Sequence, residues 1–372
     1  HGNGLPGWQG ESHRRNMRDI TLDVTKPKGR EAFLKLMADT DIFIESSKGG
    51  QWAAWGLTDE TLWEVNPALV IAHISGYGQT GLESYISRAS FDPIAQAFSG
   101  IAYANGDENT PFFPIADNVL DYYTALFAST SCLSAYIRAC RTGKGESLDI
   151  AQYECGLRTL CQYMLQDIME HNPERRSFWI AADLVAGTGN YKCKEGSLFI
   201  MSTGAAVAKR MATLLGFDYG SESFPACGYA IYRATEQGKQ LEAALLEMCA
   251  QHTAAEMDHI LNENRIPCSQ VITYQDMLTN EQYIARNSLT TTPSTRWEDP
   301  EHPGQPLQVR VPNIVPKTKV NPLSIWRTGV DFGFDTRDVL EDLGYSPDEI
   351  QGFFDDGISV SVQDQCQRYR HL

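Results

Sequence analysis

Apolar residues in the first quarter of the chain follow two different periods. Short apolar runs bounded by polar or turn-forming residues are typical of strands, and they occur at residues 20–24, 41–45 and 68–75. Between these runs, apolar residues recur at helical spacing, which predicts a helix over residues 28–40 and another that begins at Thr58. The resulting β-α-β-α-β order predicts an α/β fold with a doubly wound parallel sheet.

The pattern of the remaining chain changes near residue 190. Before that point it predicts helices at 91–100, 119–141 and 151–170 and a strand at 147–150. After it, short strands at 191–194, 197–201 and 269–272 alternate with helices at 205–215, 240–251 and 253–264. We therefore predict a large domain over residues 1–189, a smaller α+β domain over residues 190–325, and C-terminal helices over residues 326–372 that return to the large domain.

Charge and cysteine content narrow the possible functions. The 372 residues include 31 basic and 47 acidic residues, a net charge of −16 that argues against nucleic-acid or anionic-membrane partners. No apolar run approaches the ~20 residues of a membrane span. The nine cysteines are scattered without a CxxC pair, which favours reduced thiols in the cytoplasm over disulfides or zinc. The eight histidines show no metal-ligand spacing, so we expect no metal site.

Common nucleotide and hydrolase motifs are missing from the sequence. No G-x-G-x-x-G follows the first predicted strand, and no P-loop, G-x-S-x-G or H-E-x-x-H occurs. A parallel sheet alone would allow a nucleotide-dependent oxidoreductase, but the missing glycine motif argues against that function.

Asp117 is the first candidate for chemistry. It follows a proline-framed apolar loop at residues 111–116 and precedes the helix predicted at 119–141. The commonest role for Asp in this place is a helix N-cap, which accepts hydrogen bonds from the first free amides. A covalent nucleophile is the alternative, because those amides would keep the carboxylate ionised and would stabilise an oxyanion. The local sequence leaves both roles open.

Two glycine-containing turns follow predicted strands. Residues 45–50 (ESSKGG) come after the strand at 41–45, and residues 75–81 (SGYGQTG) come after the strand at 68–75. Ligands of open parallel sheets bind at the carboxyl ends of strands, so both turns would lie at a binding edge. Small residues let the backbone approach a phosphate, and Lys48 would add a charge, although a surface lysine and a structural turn explain the same residues.

Seven stretches, spread over nearly the whole chain, occur in the order of a known family. They are RRNMRDITLDVTKPKGREAFLKLM (14–37), DIFIESSKGG (41–50), VIAHISGYGQTG (70–81), AQAFSG (95–100), TGKGESLDIAQYE (142–154), NENRIPCSQV (262–271) and DTRDVLEDLGYSPDEIQ (335–351). Together they resemble the class III CoA-transferases, the group of the L-carnitine and bile-acid CoA-transferases. The TGKGES and IPC segments are the most distinctive of the set.

The resemblance implies a fold, a reaction and a site. The fold would be a Rossmann-like large domain with a smaller domain, in a homodimer whose two chains interlock. The reaction would transfer CoA between an acyl-CoA and a free carboxylic acid through an aspartyl-CoA thioester on Asp117, with no metal and no tightly bound cofactor. The expected CoA contacts are Lys48, which matches the CoA-contacting lysine of the carnitine enzyme, with Ser46, Ser47, Gly76 and Gly78.

Aromatic residues surround Asp117 in the sequence or follow it. They are Phe112, Phe113, Tyr122, Tyr123, Tyr163 and Trp179. Such rings could line a large apolar pocket or hold a trimethylammonium group by cation–π attraction. The stretches SSKGGQ and SGYGQTG also resemble the carnitine and bile-acid enzymes more than the formyl-CoA branch of the family. Together these features imply a carnitine-like or bile-acid-like acceptor and not formate or oxalate. Packing of the rings between helix and sheet explains Tyr122 and Tyr123 equally well.

Three departures from the family pattern motivate a second hypothesis. The family's first strand–helix–strand unit, which precedes the RRN-like segment, is expected to be missing from this chain. An arginine expected shortly after Lys48 is replaced by Trp52-Ala53-Ala54-Trp55, and Asp121 stands where a glycine usually follows the nucleophile by four residues. The alternative function is therefore a catalytically impaired or truncated paralogue that binds or dimerises without turnover.

Overall fold

The computed structural model describes residues 7–106, 110–115, 118–160, 164–165, 168–169 and 184–361. The chain divides into two compact units, each built from separate stretches. The first comprises residues 1–95, 118–155 and 278–372, and the second comprises residues 96–117 and 156–277. The predicted domain boundaries after residues 189 and 325 stay a prediction.

Helices make up most of the regular structure. In chain order they are α1 (Trp8–His13), α2 (Pro27–Ala38), α3 (Gln51–Ala54), α4 (Asp59–Val65), α5 (Glu83–Ile86), α6 (Asp92–Ser99), α7 (Ile101–Ala104), α8 (Val119–Thr142), α9 (Gln152–Thr159), α10 (Ala205–Leu214), α11 (Glu236–Gln251), α12 (Ala254–Glu263), α13 (Asp276–Thr279), α14 (Glu281–Ala285), α15 (Thr336–Asp342) and α16 (Pro347–Asp355). The helices predicted near residues 28–40, 91–100 and 119–141 are confirmed as α2, α6 and α8.

The strands form separate sheets within the two units. They are β1 (Ile42–Glu45), β2 (Val70–Ser75), β3 (Glu146–Ala151), β4 (Gly189–Lys192), β5 (Ser197–Ile200), β6 (Cys268–Gln270), β7 (Leu289–Asp299) and β8 (His302–Pro312). The first unit holds the parallel sheet β1-β2-β3 and the antiparallel hairpin β7-β8, and the second holds the antiparallel sheet β4-β5-β6. The predicted α/β class with a parallel sheet is confirmed.

Strand β2, at the centre of the parallel sheet, is covered on both faces, as its continuous apolar run predicts. On one face α2 and α4 pack against β2 in a cluster of buried residues: Phe33, Met37, Leu57, Leu62, Leu69 and Ile71. On the other face Val70 packs against Ala135 and Ala139 of α8. The small alanines let the 24-residue helix approach the strands closely. This packing fixes the carboxyl ends of β1, β2 and β3 relative to one another.

The second unit encloses a core of its own. Leu198 and Ile200 of β5 are fully buried against Met211 of α10, Leu245 of α11 and Met257 of α12. A capping box fixes the start of α12, because the side chains of Thr253 and Glu256 each accept a hydrogen bond from the other's backbone amide.

The strand predicted at residues 20–24 is wrong. Residues 20–23 form no strand or helix and Val24 lies in a turn, and hydrogen bonds join the segment to the C-terminal part of the chain. The Asp23 amide donates to the Ile358 carbonyl at 2.7 Å, and the Val360 amide donates to Thr21 Oγ1 at 2.9 Å. The partners of this segment therefore lie more than 300 residues away along the chain.

The hairpin β7-β8 was not predicted from the sequence. Its inward-facing positions include Thr292 and Ser294, which are small and polar, so the usual apolar alternation of a strand is weak here. Hydrogen bonding inside the first unit stabilises the hairpin instead, since Ser294 Oγ donates to the buried Glu11 carboxylate.

Candidate functional site

The loops that follow β1 and β2 leave the parallel sheet at its carboxyl edge and touch each other. They are residues 46–50, hereafter loop 46–50, and residues 76–81, hereafter loop 76–81. The Gly50 amide donates to Gln79 Oε1 at 2.9 Å. A Cβ atom on Gly49 would lie 2.8 Å from the Gly78 carbonyl oxygen, so this close approach requires glycine. The structure thus brings Lys48, Ser46 and Ser47 together with Gly76 and Gly78.

Loop 76–81 has structural reasons for its glycines. Gly78 has φ +90°, a conformation that L side chains rarely adopt, and its amide donates to Ser75 Oγ at 2.9 Å. A Cβ on Gly76 would lie 2.1 Å from Ser90 Cβ. These contacts explain why both positions are glycine, and their contact with CoA stays a prediction.

Loop 46–50 presents polar groups to solvent. Ser46 and Lys48 are exposed and Ser47 is half-buried. The Lys48 ammonium makes no ion pair with any residue that the structure describes. An exposed cation next to tightly turned backbone is an arrangement that can bind phosphate.

Trp52 and Trp55 stand in the part of the sequence where the family pattern has an arginine. Trp52 packs edge-on against Phe43, with ring centroids 4.9 Å apart, and lies 5.5 Å from the Trp55 ring. Its indole Nε1 donates to Ser47 Oγ at 3.1 Å. This tryptophan is therefore part of the core under β1 and also supports loop 46–50.

A buried histidine lies beneath these loops between two carboxylates. His73 Nδ1 is 2.8 Å from Glu45 Oε1, and His73 Nε2 is 2.9 Å from Asp59 Oδ1. Burial alone would lower the pKa of His73, but the hydrogen bonds and charges of Asp59 and Glu45 outweigh it and raise the pKa to about 9. Burial acts to raise the pKa of Asp59, yet hydrogen bonds from His73 and Ser147 hold it below its usual range. The His73 cation and the Asp59 anion therefore stabilise each other at neutral pH.

The N-terminus of α8 is capped by a residue from a distant part of the sequence. Asp92, which is only 3% exposed, accepts hydrogen bonds from the amides of Leu120 at 2.7 Å and Asp121 at 2.9 Å. The N-cap position is Asn118, with φ +58° and no side-chain cap. Asp117 lies outside the described residues. The capping role considered for Asp117 is thus filled at these two amides by Asp92.

Asp121, the departure from the family's glycine, is accommodated in the first turn of α8. Its Oδ1 accepts a hydrogen bond from Gln152 Nε2 at 2.5 Å. Partial burial of the carboxyl raises the pKa of Asp121, and the nearby charge of Asp92 adds to this effect.

Backbone on the other side of Asp117 is held within the second unit. The fully buried Gln96 side chain accepts from the Ile115 amide at 2.7 Å and donates to the Ile115 carbonyl at 3.3 Å. This paired contact fixes the chain two residues before Asp117.

Of the aromatic residues near Asp117 in sequence, Phe112, Tyr122 and Tyr123 are exposed, and Phe113 is half-buried. Tyr122 and Tyr123 lie on the exposed side of α8, and Phe112 stacks on Tyr103 with ring centroids 5.7 Å apart. Tyr163 and Trp179 lie outside the described residues.

Comparison with known proteins identifies the family. The model of CoA-transferase family III matches residues 7–335, most of the chain. The chain belongs to CoA-transferase family III. Its fold is similar to that of a CaiB/BaiF family protein from Brucella suis, with 23% identity and a TM-score of 0.70 over 90% of this chain and 83% of that one. It is also similar to Rv3272 from Mycobacterium tuberculosis, with 17% identity and a TM-score of 0.71 over 87% of this chain and 83% of that one.

Family III membership makes the chain a CoA-transferase, with an acyl-CoA and a carboxylate as its substrate classes. Within the described ranges, no group of three or more His, Cys, Asp and Glu side chains is arranged to hold a metal ion. No helix in that part of the chain is both long enough and apolar enough to cross a membrane.

Sequence reasoning missed His73 and Asp92. Taken alone, His73 resembles any histidine in a strand, and its carboxylate partners come from β1 and α4, which only the strand register brings beside it. Asp92 opens α6, and its carboxylate binds amides 28 and 29 residues further on. No local signal in the sequence indicates either partnership.

Proposed function

We propose that this family III enzyme transfers CoA from an acyl-CoA to a free carboxylic acid, with Asp117 as its covalent nucleophile. The observation that carries the proposal is the family match over residues 7–335, which includes Asp117 and both loops at the carboxyl edge of the sheet. Because Asp92 already accepts from the amides of Leu120 and Asp121, these two amides do not need Asp117 as a cap, which supports a chemical role for Asp117.

The proposed reaction conserves the energy of the thioester. The Asp117 carboxylate attacks the carbonyl carbon of the donor thioester, which forms a mixed anhydride and releases CoA thiolate. The thiolate then attacks the aspartyl carbonyl, giving an Asp117-CoA thioester and the donor's free acid. The acceptor carboxylate attacks that thioester, and the released thiolate attacks the acceptor's acyl carbon, which restores Asp117. Over the full cycle, as many C–S bonds form as break, and the same holds for C–O bonds. No oxidation state changes, so the reaction needs no metal or external oxidant.

CoA would bind where the two loops meet. Lys48 offers an exposed cation, which a protein of net charge −16 needs locally to hold a polyanionic ligand. Ser46 and Ser47 supply hydroxyls on the same loop, and Gly76 and Gly78 would contribute through the neighbouring loop 76–81, which loop 46–50 contacts at Gly50. The acyl-CoA is thus a substrate held at the sheet edge, with no tightly bound cofactor beside it.

The acceptor would be a carnitine-like or bile-acid-like carboxylate. The exposed rings of Tyr122 and Tyr123 on α8 support this choice, since they can contact a sterol face or a trimethylammonium group. Competition between carnitine, a bile acid, a 2-hydroxy acid and oxalate decides it, and oxalate as the best acceptor would contradict the proposal.

A homodimer is part of the proposal. Apolar side chains recur at helical spacing along α8, each more than half exposed: Tyr122, Leu126, Leu133 and Ile137. A second copy would cover this stripe, which is unusually apolar for a free surface. Light scattering tests the dimer, and replacing Leu126 and Leu133 by Glu should produce monomers.

The cytoplasm is the proposed location of the enzyme. The seven cysteines in the described ranges are all free thiols, from Cys132 to Cys268, which suits a reducing compartment. Acyl-CoA thioesters are metabolites of the same kind of environment.

The test of the proposed function is a transfer assay on the full chain. Wild-type protein should move CoA from an acyl-CoA donor to an acceptor from the panel. Asp117→Asn should reduce the rate by at least ~10³-fold, since the neutral amide cannot act as the nucleophile. Asp218→Asn, at an exposed position of the second unit, is the matched control and should transfer normally. Wild-type protein that binds acetyl-CoA without any transfer would instead support the impaired paralogue.

A further inference from the structure

We propose that His73 is a positioning residue for CoA binding, because as a cation it fixes Glu45, which in turn fixes the loop that carries Lys48. The inference rests on the proposed function, since it concerns the site at which that function places CoA. In this proposal His73 does not contact CoA itself and acts through Glu45 and Lys48.

Glu45 links the histidine to the loop. It is the last residue of β1 and is only 5% exposed. Its two carboxylate oxygens have separate partners: Oε1 lies 2.8 Å from His73 Nδ1, and Oε2 accepts the Ser47 amide at 2.6 Å. The carboxylate therefore holds the first turn of loop 46–50, one residue before Lys48.

The geometry favours a His73 ring that carries two protons. Each ring nitrogen faces a carboxylate oxygen, Glu45 on one side and Asp59 on the other, at 2.8 and 2.9 Å. A neutral imidazole donates from one nitrogen only, so the other would place a lone pair against a carboxylate oxygen. Loss of the second proton would thus turn one of these contacts from attraction into repulsion.

The charged groups around His73 come from three neighbouring elements. Glu45 faces it from β1, Asp59 from the start of α4, and Asp149 occupies the register position beside it on β3. The Asp149 carboxylate is already bound, since it accepts from the Gln79 amide at 2.9 Å and from Thr80 Oγ1 at 3.3 Å. The same row of the sheet therefore holds both loops, Glu45 the first and Asp149 the second.

The protonation of His73 sets the pH range of this contact. The pKa of His73 is about 9 in the folded chain and ~6.5 when unfolded. A raised pKa means that the stabilisation is fully present below the unfolded value and is lost as pH rises through about 9. CoA affinity should then be constant near neutral pH and fall above pH 8.

The experiment measures the Kd for acetyl-CoA, which has no free thiol to titrate, between pH 6.5 and 9.5. Deprotonated His73 should weaken binding about tenfold, so for the wild type we expect a constant Kd up to pH 8 and a rise of about threefold by pH 9.5, where about three-quarters of His73 has lost its proton. His73→Gln should show the full tenfold weaker binding already at pH 7, should lose the rise at high pH, and should raise KM for the donor with kcat within about twofold.

His259→Gln is the matched control. This histidine lies 3.3 Å from Glu263 on an exposed face of α12, so it forms the same kind of pair without burial or a loop to hold. Its Kd profile should match that of the wild type. A His73→Gln profile that also matches the wild type would overturn the inference.

Hydrogen exchange separates this inference from the proposed function. The Ser47 amide should exchange at least about tenfold faster in His73→Gln than in the wild type, with or without acetyl-CoA. Unchanged exchange would overturn the positioning role even if CoA binds normally. Wild-type protein that does not bind acetyl-CoA at pH 7 would overturn the proposed function, whatever the exchange shows. If His73→Gln fails to fold, the Kd of the wild type as a function of pH still tests the inference, because that measurement needs no substitution.

Discussion

The first unit contains two clusters of carboxylates, one at the sheet edge and one at the start of α8. The pKa of a carboxyl is shifted in opposite directions in the two clusters. At the sheet edge, the pKa of Asp59 is lowered, because hydrogen bonds from His73 and Ser147 outweigh its burial. At the start of α8, the pKa of Asp121 is raised, because partial burial is reinforced by the charge of Asp92. The same type of residue thus becomes a more stable anion in one place and a less stable one in the other.

The difference lies in what compensates the negative charge. The sheet edge supplies a full cation, His73, between Glu45 and Asp59. The start of α8 supplies neutral donors: Asp92 accepts from two backbone amides, and Asp121 accepts from the side-chain amide of Gln152. Helix amides carry a partial positive charge and serve one carboxylate well, but a second carboxylate in the same turn finds little compensation. This comparison predicts which substitutions harm the protein and which do not.

The largest loss of stability is expected at Asp92. Asp92→Ala leaves the amides of Leu120 and Asp121 without their acceptor, which should lower the free energy of unfolding by about 3 kcal/mol. Asp92→Asn keeps one acceptor oxygen and should lose less than half as much. Urea unfolding measures both, and equal losses would show that the charge of Asp92 matters more than its capping geometry.

A smaller loss is expected at Asp59. Asp59→Asn removes one of the two carboxylates that hold the His73 cation, and should lower the free energy of unfolding by about 2 kcal/mol at pH 7. Because the pKa of Asp59 is lowered on folding, its contribution is present above the unfolded value and is lost as pH falls through the folded one. The variant and the wild type should therefore converge in stability toward acid pH, and a constant gap down to pH 2 would contradict the ion-pair account.

Lys48 should affect binding without affecting stability. It is exposed, unlike the cation at His73, so Lys48→Ala should raise KM for the acyl-CoA about tenfold and leave the melting temperature within about 1 °C. Lys209→Ala, an exposed lysine on α10, is the control for a general change in charge. An unchanged KM would make Lys48 an ordinary surface lysine.

The smallest effect is expected at Asp121. A raised pKa means that the folded chain disfavours the charged form at pH 7, so Asp121→Asn should be neutral or slightly stabilising, within about 0.5 kcal/mol. The amide can still pair with Gln152. Thermal unfolding at pH 5 and pH 8 checks this, and a clear loss at pH 8 would show that the Asp121 charge has a role.

Periodicity predicted the elements that bury apolar faces. The strands near 41–45 and 68–75, and the long helix that became α8, follow directly from the spacing of their apolar residues. The segment 20–24 has the same kind of pattern, yet its partner is the chain near residue 358, which no local rule identifies. The local pattern therefore predicted these strands and this helix, but it did not identify which part of the chain pairs with the segment 20–24.

The candidate site was predictable to the level of its loops. Gly-containing turns after two parallel strands had to share one edge, and loops 46–50 and 76–81 do touch there. The supporting network was not predictable, because it joins Glu45, His73 and Asp59 through strand register and a helix start. Buried polar partnerships of this kind depend on tertiary position and leave little trace in the sequence.

The most direct test of the central claim is to trap the covalent enzyme. Full-length protein is incubated with an acyl-CoA donor, treated with hydroxylamine, digested and examined by mass spectrometry. We predict a hydroxamate on Asp117 that requires the donor and that does not form in Asp117→Asn. A hydroxamate on Asp121 or Asp92 instead, or CoA transfer at the wild-type rate by Asp117→Asn, would contradict the account.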